Sequence, residues 1–215
     1  MGDTLDRTVQ ALTRALDGRE PRRLEEPRAR PAAVLMPLRE GPAGVEVVLT
    51  KRTSHLPHHA GQVSFPGGAS DPEDGGPEET ALRETCEEIG VCRQAARVVA
   101  RLDQVVTVTN FLVTPFLGVL DHRAELAPSP HEVERLLRVP LAKVLDREQW
   151  RPTEVRWQGM AFHHEALRHD GEVVWGATAR IILALVDRLG PAAAGVVQAS
   201  KSNGQKGVDR PGGLV

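Results

Sequence analysis

Leu5, Val9, Leu12 and Leu16 recur at helical spacing. They predict a packing helix over residues 3–17, capped by Asp3 or Thr4 and stopped by Gly18. Gly18–Pro31 is rich in Arg, Glu and Pro and has no period, so a linker or solvated surface loop is expected there. Two strand-like apolar runs follow, Ala32–Leu38 and Val45–Lys51, separated by a Gly-Pro-Ala-Gly turn. The next stretch is broken by Pro and Gly, leaving only Gln62–Phe65 open to regular structure. Pro77 then suits the first turn of a helix running to Ile89, with Glu78 and Glu79 at its positive end. Ala81, Leu82, Thr85 and Ile89 form the inner face of that helix, and Gly90 ends it.

Beyond it, Arg97–Leu102 and Phe111–Leu120 read as strands. Ser129-Pro130-His131-Glu132 combines a cap, a first-turn Pro and a capping-box Glu, which predicts a short helix over Pro130–Leu137. Mixed segments near Glu154–Trp157, Met160–His164 and Glu172–Trp175 supply late strands or hairpins. Ile181, Ile182, Leu185 and Leu189 line one side of a final helix over Ala177–Leu189, stopped by Gly190. From Pro191 the periodicity fades and a mobile tail is expected. The order of elements is that of an α/β chain. It divides into an N-terminal helix and linker (1–31), one domain (32–190) and a disordered tail (191–215), with no internal repeat.

Composition narrows the function more than the fold. A chain of 215 residues suits one domain with terminal extras. The formal charge of −2 argues against a general nucleic-acid or membrane-surface binder, although basic residues crowd Arg19–Arg30 and Lys51-Arg52. No apolar run approaches the ~20 residues of a membrane span, and the N-terminus lacks the features of a signal peptide. Cys86 and Cys92 flank the end of one helix without a CxxC pair, so free thiols in a reducing cytoplasm are expected. His58-His59 lacks a further His or Cys at the spacing of a transition-metal site.

The chemistry concentrates between Gly67 and Val91. Glu84, Glu87 and Glu88 stand at i, i+3 and i+4 and share a helix face. Like charges at that spacing cost a few tenths of a kcal/mol on a solvated face, whereas a hard divalent cation favours such oxygen ligands. A solvated amphipathic helix is the alternative. Just upstream, Ser64-Phe65-Pro66-Gly67-Gly68 brings main-chain N–H groups that can approach a phosphate closely. A carboxylate-bound metal touching a phosphate would draw charge from phosphorus and orient a water.

Arg83-Glu84-Thr85-Cys86-Glu87-Glu88-Ile89-Gly90-Val91 resembles the second half of the Nudix box, G-x5-E-x7-R-E-U-x-E-E-x-G-U with U bulky and apolar. Thr85 fills its U position imperfectly, and Ala69 and Gly75 hold the expected Gly and Glu positions. A spacing one residue longer restores the pattern as Gly68-x5-Asp74-x8-Arg83, with Asp for Glu. That longer box resembles the coenzyme A diphosphatase branch of the Nudix hydrolases. So do Val48-Leu49-Thr50-Lys51-Arg52-Thr53, Gly61-Gln62-Val63-Ser64-Phe65-Pro66-Gly67-Gly68, Thr114–Gly118, Val139-Pro140-Leu141 and Val174–Ala179. Pro57 stands where the branch prefers an arginine, and Thr53 where Ser or Ala is usual.

The resemblance implies an α/β/α sandwich with a mixed β-sheet. It implies Glu84 and Glu88 as ligands of Mg²⁺ or Mn²⁺, with Glu87 as a further ligand or proton acceptor. Arg83 would orient a glutamate or contact substrate. Gly67 and Gly68 would shape a loop around a diphosphate or form a plain turn. Arg52 would contact phosphate or pair with an acid such as Asp71, and Glu132 would be a base or only a capping residue. Phe65 and Trp175 would serve the core or an adenine. His59 matches the branch with no assigned chemistry. The implied partner is a small nucleotide, coenzyme A above all, cleaved in the cytoplasm without nucleic acid or membrane. Hydrolysis of ADP-ribose or NADH, or nucleotide sensing without turnover, are the rivals.

Overall fold

The computed structural model describes residues 3–55, 60–157 and 159–202. In chain order the elements are α1 (Asp3–Leu16), β1 (Arg30–Gly41), β2 (Gly44–Arg52), β3 (Val63–Ser64), β4 (Gly67–Ala69) and α2 (Pro77–Ile89). Then come β5 (Ala96–Arg101), β6 (Val105–Val106), β7 (Phe111–Leu120), β8 (Val133–Pro140) and α3 (Leu141–Leu145). The last are β9 (Arg151–Trp157), β10 (Met160–His169), β11 (Glu172–Val174), α4 (Gly176–Leu189) and α5 (Ala193–Ser200), with short 3₁₀ turns before β9 and α5.

Alternation along β1 explains the layers. Ala33 and Leu35 point to one face with Val48, Phe116, Leu120 and the α2 residues Ala81, Leu82 and Ile89. Met36 and Leu38 point to the other, where they join the buried faces of α1, α3, α4 and α5. The sheet is therefore covered on both sides, which makes an α/β/α sandwich. Its central order is β3-β2-β1-β7-β5, with β4 on β1, β6 on β7 and β8 on β2. β1 and β7 run parallel from Arg30↔Phe111 to Leu38↔Val119, while β2, β4, β5, β6 and β8 pair antiparallel. The parallel pair needs a long crossover, and α2 lies within it. A separate antiparallel sheet, β11-β10-β9, carries the late strands.

Three expectations are corrected. Residues 130–137 are not helical: Ser129–Glu132 form one turn, with the amides of Glu132 and Val133 bonded to the Ser129 carbonyl. The chain then pairs with β2 as β8, burying Val133, Leu137 and Val139. The open edge of β2 offers eight residues a ladder, and that outweighs a local helix-start signature.

The tail does not begin at residue 191, because Ala193–Ser200 form α5, which docks on α1 and α3 and buries Val196. Cys86 and Cys92 are joined as a disulfide, their Cα atoms 4.3 Å apart. Gly90 ends α2 in the left-handed region at φ 74°, and the reversal brings Cys92 back over Cys86. The run Gly176–Ser200 is long and apolar enough to cross a membrane, but it divides at Gly190 into α4 and α5. Ile181, Ile182, Leu185 and Leu189 of that run are buried in the core.

Candidate active site

The loop before α2 is built around Arg83. Its Nε and Nη2 donate to both oxygens of Asp74 at 2.9 and 3.1 Å, and Nη2 also donates to the Ala69 carbonyl at 3.1 Å. Asp71 lies 3.4 Å from the same guanidinium. The Thr80 hydroxyl donates to Asp74 at 2.7 Å and closes the loop onto the helix. This bidentate fork holds the Asp74 carboxyl well below the usual carboxylate range, and Asp74 in turn raises the arginine above its own. Asp74 thus stands where the family pattern has a glutamate and anchors Arg83 from a loop one residue longer.

Arg83 also reaches along the helix. Nη1 donates to Glu84 at 2.9 Å and to Glu87 at 3.2 Å. The three glutamates then differ in burial: Glu88 is 1% exposed, Glu84 15% and Glu87 53%. Gly68 explains the position of Glu84, because a Cβ there would sit 2.4 Å from the Glu84 carboxylate oxygen. Gly67 lies at φ 155°, and a Cβ would strike the Ala33 carbonyl at 2.5 Å. The two glycines form β4 against β1 rather than a plain turn.

Glu88 faces the sheet. Arg52, from the end of β2, donates to its Oε1 at 2.9 Å and lies 3.8 Å from Glu132. Asp71 is therefore a partner of Arg83, not of Arg52. Burial pushes the Glu88 carboxyl up to about 7, opposed by Arg52 and reinforced by the charges of Glu84 and Glu132. Burial likewise raises Glu84, against the pull of Arg83. Of the two readings of Glu132, base or helix cap, the cap has no helix to serve; the residue is a fourth carboxylate whose charge acts on Glu84 and Glu88. Its position depends on the Thr53 amide bonding to the Glu132 carbonyl at 3.0 Å, a pairing between distant segments that no local pattern reveals.

The carboxylates are not preassembled as a ligand cage. Among the described residues no three His, Cys, Asp or Glu side chains are gathered closely enough to hold a metal ion. Arg83 and Arg52 hold them instead. The donor set still fits a hard divalent cation: Glu88 Oε2 is buried with no hydrogen-bond partner, and every candidate ligand is a carboxylate oxygen.

Arg52, Gly67 and Gly68 also line one side of a cavity of about 340 Å³ that runs on to β10 and the start of α4. Its lining includes Trp175 and also Phe65, whose ring is otherwise buried in the core. Neither this cavity nor the hollows of about 480 and 780 Å³ elsewhere is lined by Glu84, Glu88 or Glu132; Arg52, which pairs with Glu88, and Gly68, which lies against Glu84, join this cavity to the carboxylates. Pro57, His58 and His59 lie outside the described residues.

The NUDIX domain model matches residues 28–158. A protein of Salmonella paratyphi B described as an uncharacterized Nudix hydrolase, NudL, is 37% identical over 161 residues, covering 75% of this chain and 83% of that one. The NudL of Salmonella enteritidis PT4 matches to the same extent. Among solved structures, a NUDIX hydrolase from Alicyclobacillus acidocaldarius aligns with a TM-score of 0.47 at 23% identity, covering 77% of this chain and 95% of that one. A MutT/nudix family protein from Enterococcus faecalis aligns with a TM-score of 0.47 at 15% identity, covering 83% and 70%. With the domain matched over more than half the chain and the NudL relatives over most of their length, the chain belongs to the Nudix family, as a hydrolase of diphosphate bonds in nucleoside-diphosphate-linked substrates.

Proposed function

We propose that the enzyme cleaves the diphosphate of coenzyme A or an acyl-coenzyme A, giving 3′,5′-ADP and 4′-phosphopantetheine or its acyl derivative. The single observation that carries the site assignment is the buried Glu88 carboxylate, with one oxygen on Arg52 and the other unpartnered. A buried carboxylate left half satisfied is costly unless a cation completes it. Glu84 and Glu88 would hold Mg²⁺ or Mn²⁺, with Glu87 as a further ligand or as a proton acceptor. When bound, the metal supplies charge neutralisation on the phosphate oxygens and a more acidic water.

The chain's own residues account for the rest. Arg52 offers the diphosphate a guanidinium on the cavity side of Glu88. Gly67 and Gly68 let main chain approach it without a side chain in the way. A water oxygen attacks one phosphorus, its proton passes to Glu87 or Glu132, and the bridging oxygen leaves with the other phosphate. Arg83 does not face the substrate in this scheme; its fork onto Asp74 fixes Glu84 and Glu87. The choice of coenzyme A rests on the upstream signature Gly61–Gly68, the last strand-to-helix run Val174–Ala179 and the longer box.

The test is a panel of purified enzyme with Mg²⁺ or Mn²⁺ against coenzyme A, acetyl-coenzyme A, ADP-ribose and NADH, with products separated by chromatography. Release of 3′,5′-ADP from coenzyme A, abolished by Glu84→Gln and by Glu88→Gln, is expected. Turnover of ADP-ribose with coenzyme A untouched overturns the substrate, and unchanged rates in both variants overturn the site. Nucleotide binding without any turnover would favour a sensor.

A further inference from the structure

Three rings from two stretches of the chain meet inside the cavity. Phe162 and His164, two apart on β10, share a face and stack with centroids 5.9 Å apart and planes 10° from parallel. Trp175, at the entry to α4, is tilted against both at 6.0 and 5.7 Å. The chain has only seven Phe and Trp residues and no Tyr, so placing two of them with a histidine in one cavity wall is a concentrated use of aromatic surface. Val108, 81% exposed, adds an apolar edge to the same cavity.

One cation completes the wall. Arg180, one turn into α4, donates from Nη1 to the Val106 carbonyl at 2.7 Å. Among the described residues no carboxylate lies within ion-pair distance of it. Arg52, the other arginine of the lining, is committed to Glu88. An exposed guanidinium beside flat apolar rings suits a ligand that is planar at one point and anionic close by.

We propose that this end of the cavity is the nucleoside subsite: Phe162, His164 and Trp175 stack the base, and Arg180 pairs with a phosphomonoester on its ribose. The assignment rests on the reading that the diphosphate lies at the Arg52–Gly68 end of the same cavity. The enzyme then prefers nucleotides carrying a ribose phosphate over those with a free ribose. An aliphatic arm gains little from ring faces in particular, whereas a heteroaromatic base of any kind gains from them.

The test measures binding to the full-length protein of 3′,5′-ADP, 5′-AMP and 4′-phosphopantetheine, which have no bridging diphosphate for this enzyme to split into two esters. Titration calorimetry gives affinities, and quenching of tryptophan fluorescence gives a second signal. The wild type is expected to bind 3′,5′-ADP about tenfold tighter than 5′-AMP, as one charge-assisted pair allows. Arg180→Gln brings 3′,5′-ADP down to the level of 5′-AMP. Phe162→Ala and His164→Ala weaken both nucleotides by about five- to hundredfold, and Trp175→Phe, which keeps a ring, retains most of the affinity lost in Trp175→Leu. Nucleotide affinities unmoved by the ring variants, no saturation by 3′,5′-ADP at millimolar concentration, or loss confined to 4′-phosphopantetheine would each overturn the subsite. These outcomes separate from those of the hydrolysis panel. Turnover of coenzyme A with nucleotide binding indifferent to Phe162 and Arg180 defeats the subsite alone, and nucleotide binding that follows the rings in an enzyme inactive on coenzyme A defeats only the substrate assignment.

Discussion

Arg52→Met removes the guanidinium that faces Glu88 and keeps most of the apolar stem. In the folded protein the Glu88 carboxyl titrates at about 7 against an ordinary value of 4.5, because burial outweighs the pull of Arg52. A folded-state value above the unfolded one costs stability as pH rises, beginning at the unfolded value and complete above the folded one. For the wild type that cost levels off above about pH 7. Without Arg52 the carboxyl is pushed higher still, so the cost keeps growing past that point. Each pH unit beyond it adds ~1.4 kcal/mol for as long as Glu88 stays neutral. By roughly pH 8.5 the variant is therefore up to ~2 kcal/mol less stable than the wild type. Near pH 5 both proteins carry a neutral Glu88, and only lost packing, ~0.5 kcal/mol, separates them. The assay is urea unfolding with a chelator present at both pH values, repeated in a Glu88→Gln background, where the pH-dependent difference should vanish. An equal loss at the two pH values, or a pH-dependent loss that persists without the Glu88 charge, would refute the reasoning.

Three further outcomes follow from the same geometry. Gly68→Ala places a methyl group 2.4 Å from the Glu84 carboxylate; displacement of that ligand should lower kcat by about tenfold or more with the far-ultraviolet circular dichroism unchanged. Divalent-ion affinity should fall as pH drops below about 7, by roughly tenfold per unit, since metal must displace one proton from Glu88; Mn²⁺ titrations in buffers of different ionisation enthalpy count that proton. Truncation after Ala192 removes Val196 from its place in the core cluster and should cost ~2–4 kcal/mol in urea unfolding.

The parts of the fold that were legible are those whose signal is local. Helix α2 declares itself through Pro77, the apolar face Ala81-Leu82-Thr85-Ile89 and the stop at Gly90, all of them properties of consecutive residues. Strands β1, β2 and β7 are apolar on both faces because helices cover both sides of the sheet. The signals that misled were local too. Ser129-Pro130-His131-Glu132 has a sound helix-start pattern, but the partner that decides its fate is β2, some eighty residues away in sequence. Val196 sits in an Ala- and Gly-containing segment with too little periodicity to announce a helix, and only the distant surfaces of α1 and α3 give it somewhere to dock. The cysteines read as unpaired because they flank a helix end without a CxxC pair; the left-handed turn at Gly90 folds Cys92 back to Cys86, a reversal that the residue spacing does not reveal.

The site shows the same division at a finer scale. Spacing along α2 picks out Glu84, Glu87 and Glu88 as a set but makes them equivalent, three acids on one helix face. Their inequality comes from other elements: β4 crowds Glu84, β2 brings Arg52 onto Glu88, and solvent reaches Glu87. Chemistry follows from that inequality. A carboxylate as buried as Glu88 holds its position and is closed off from solvent, which suits a ligand and ill suits a base that must exchange protons with solvent in every turnover. Glu87 and Glu132, 53% and 41% exposed, can exchange them freely. The proton acceptor therefore belongs at the open rim of the carboxylate group, and removing the Glu87 or the Glu132 carboxylate should depress kcat while leaving divalent-ion affinity closer to the wild type than Glu88→Gln does.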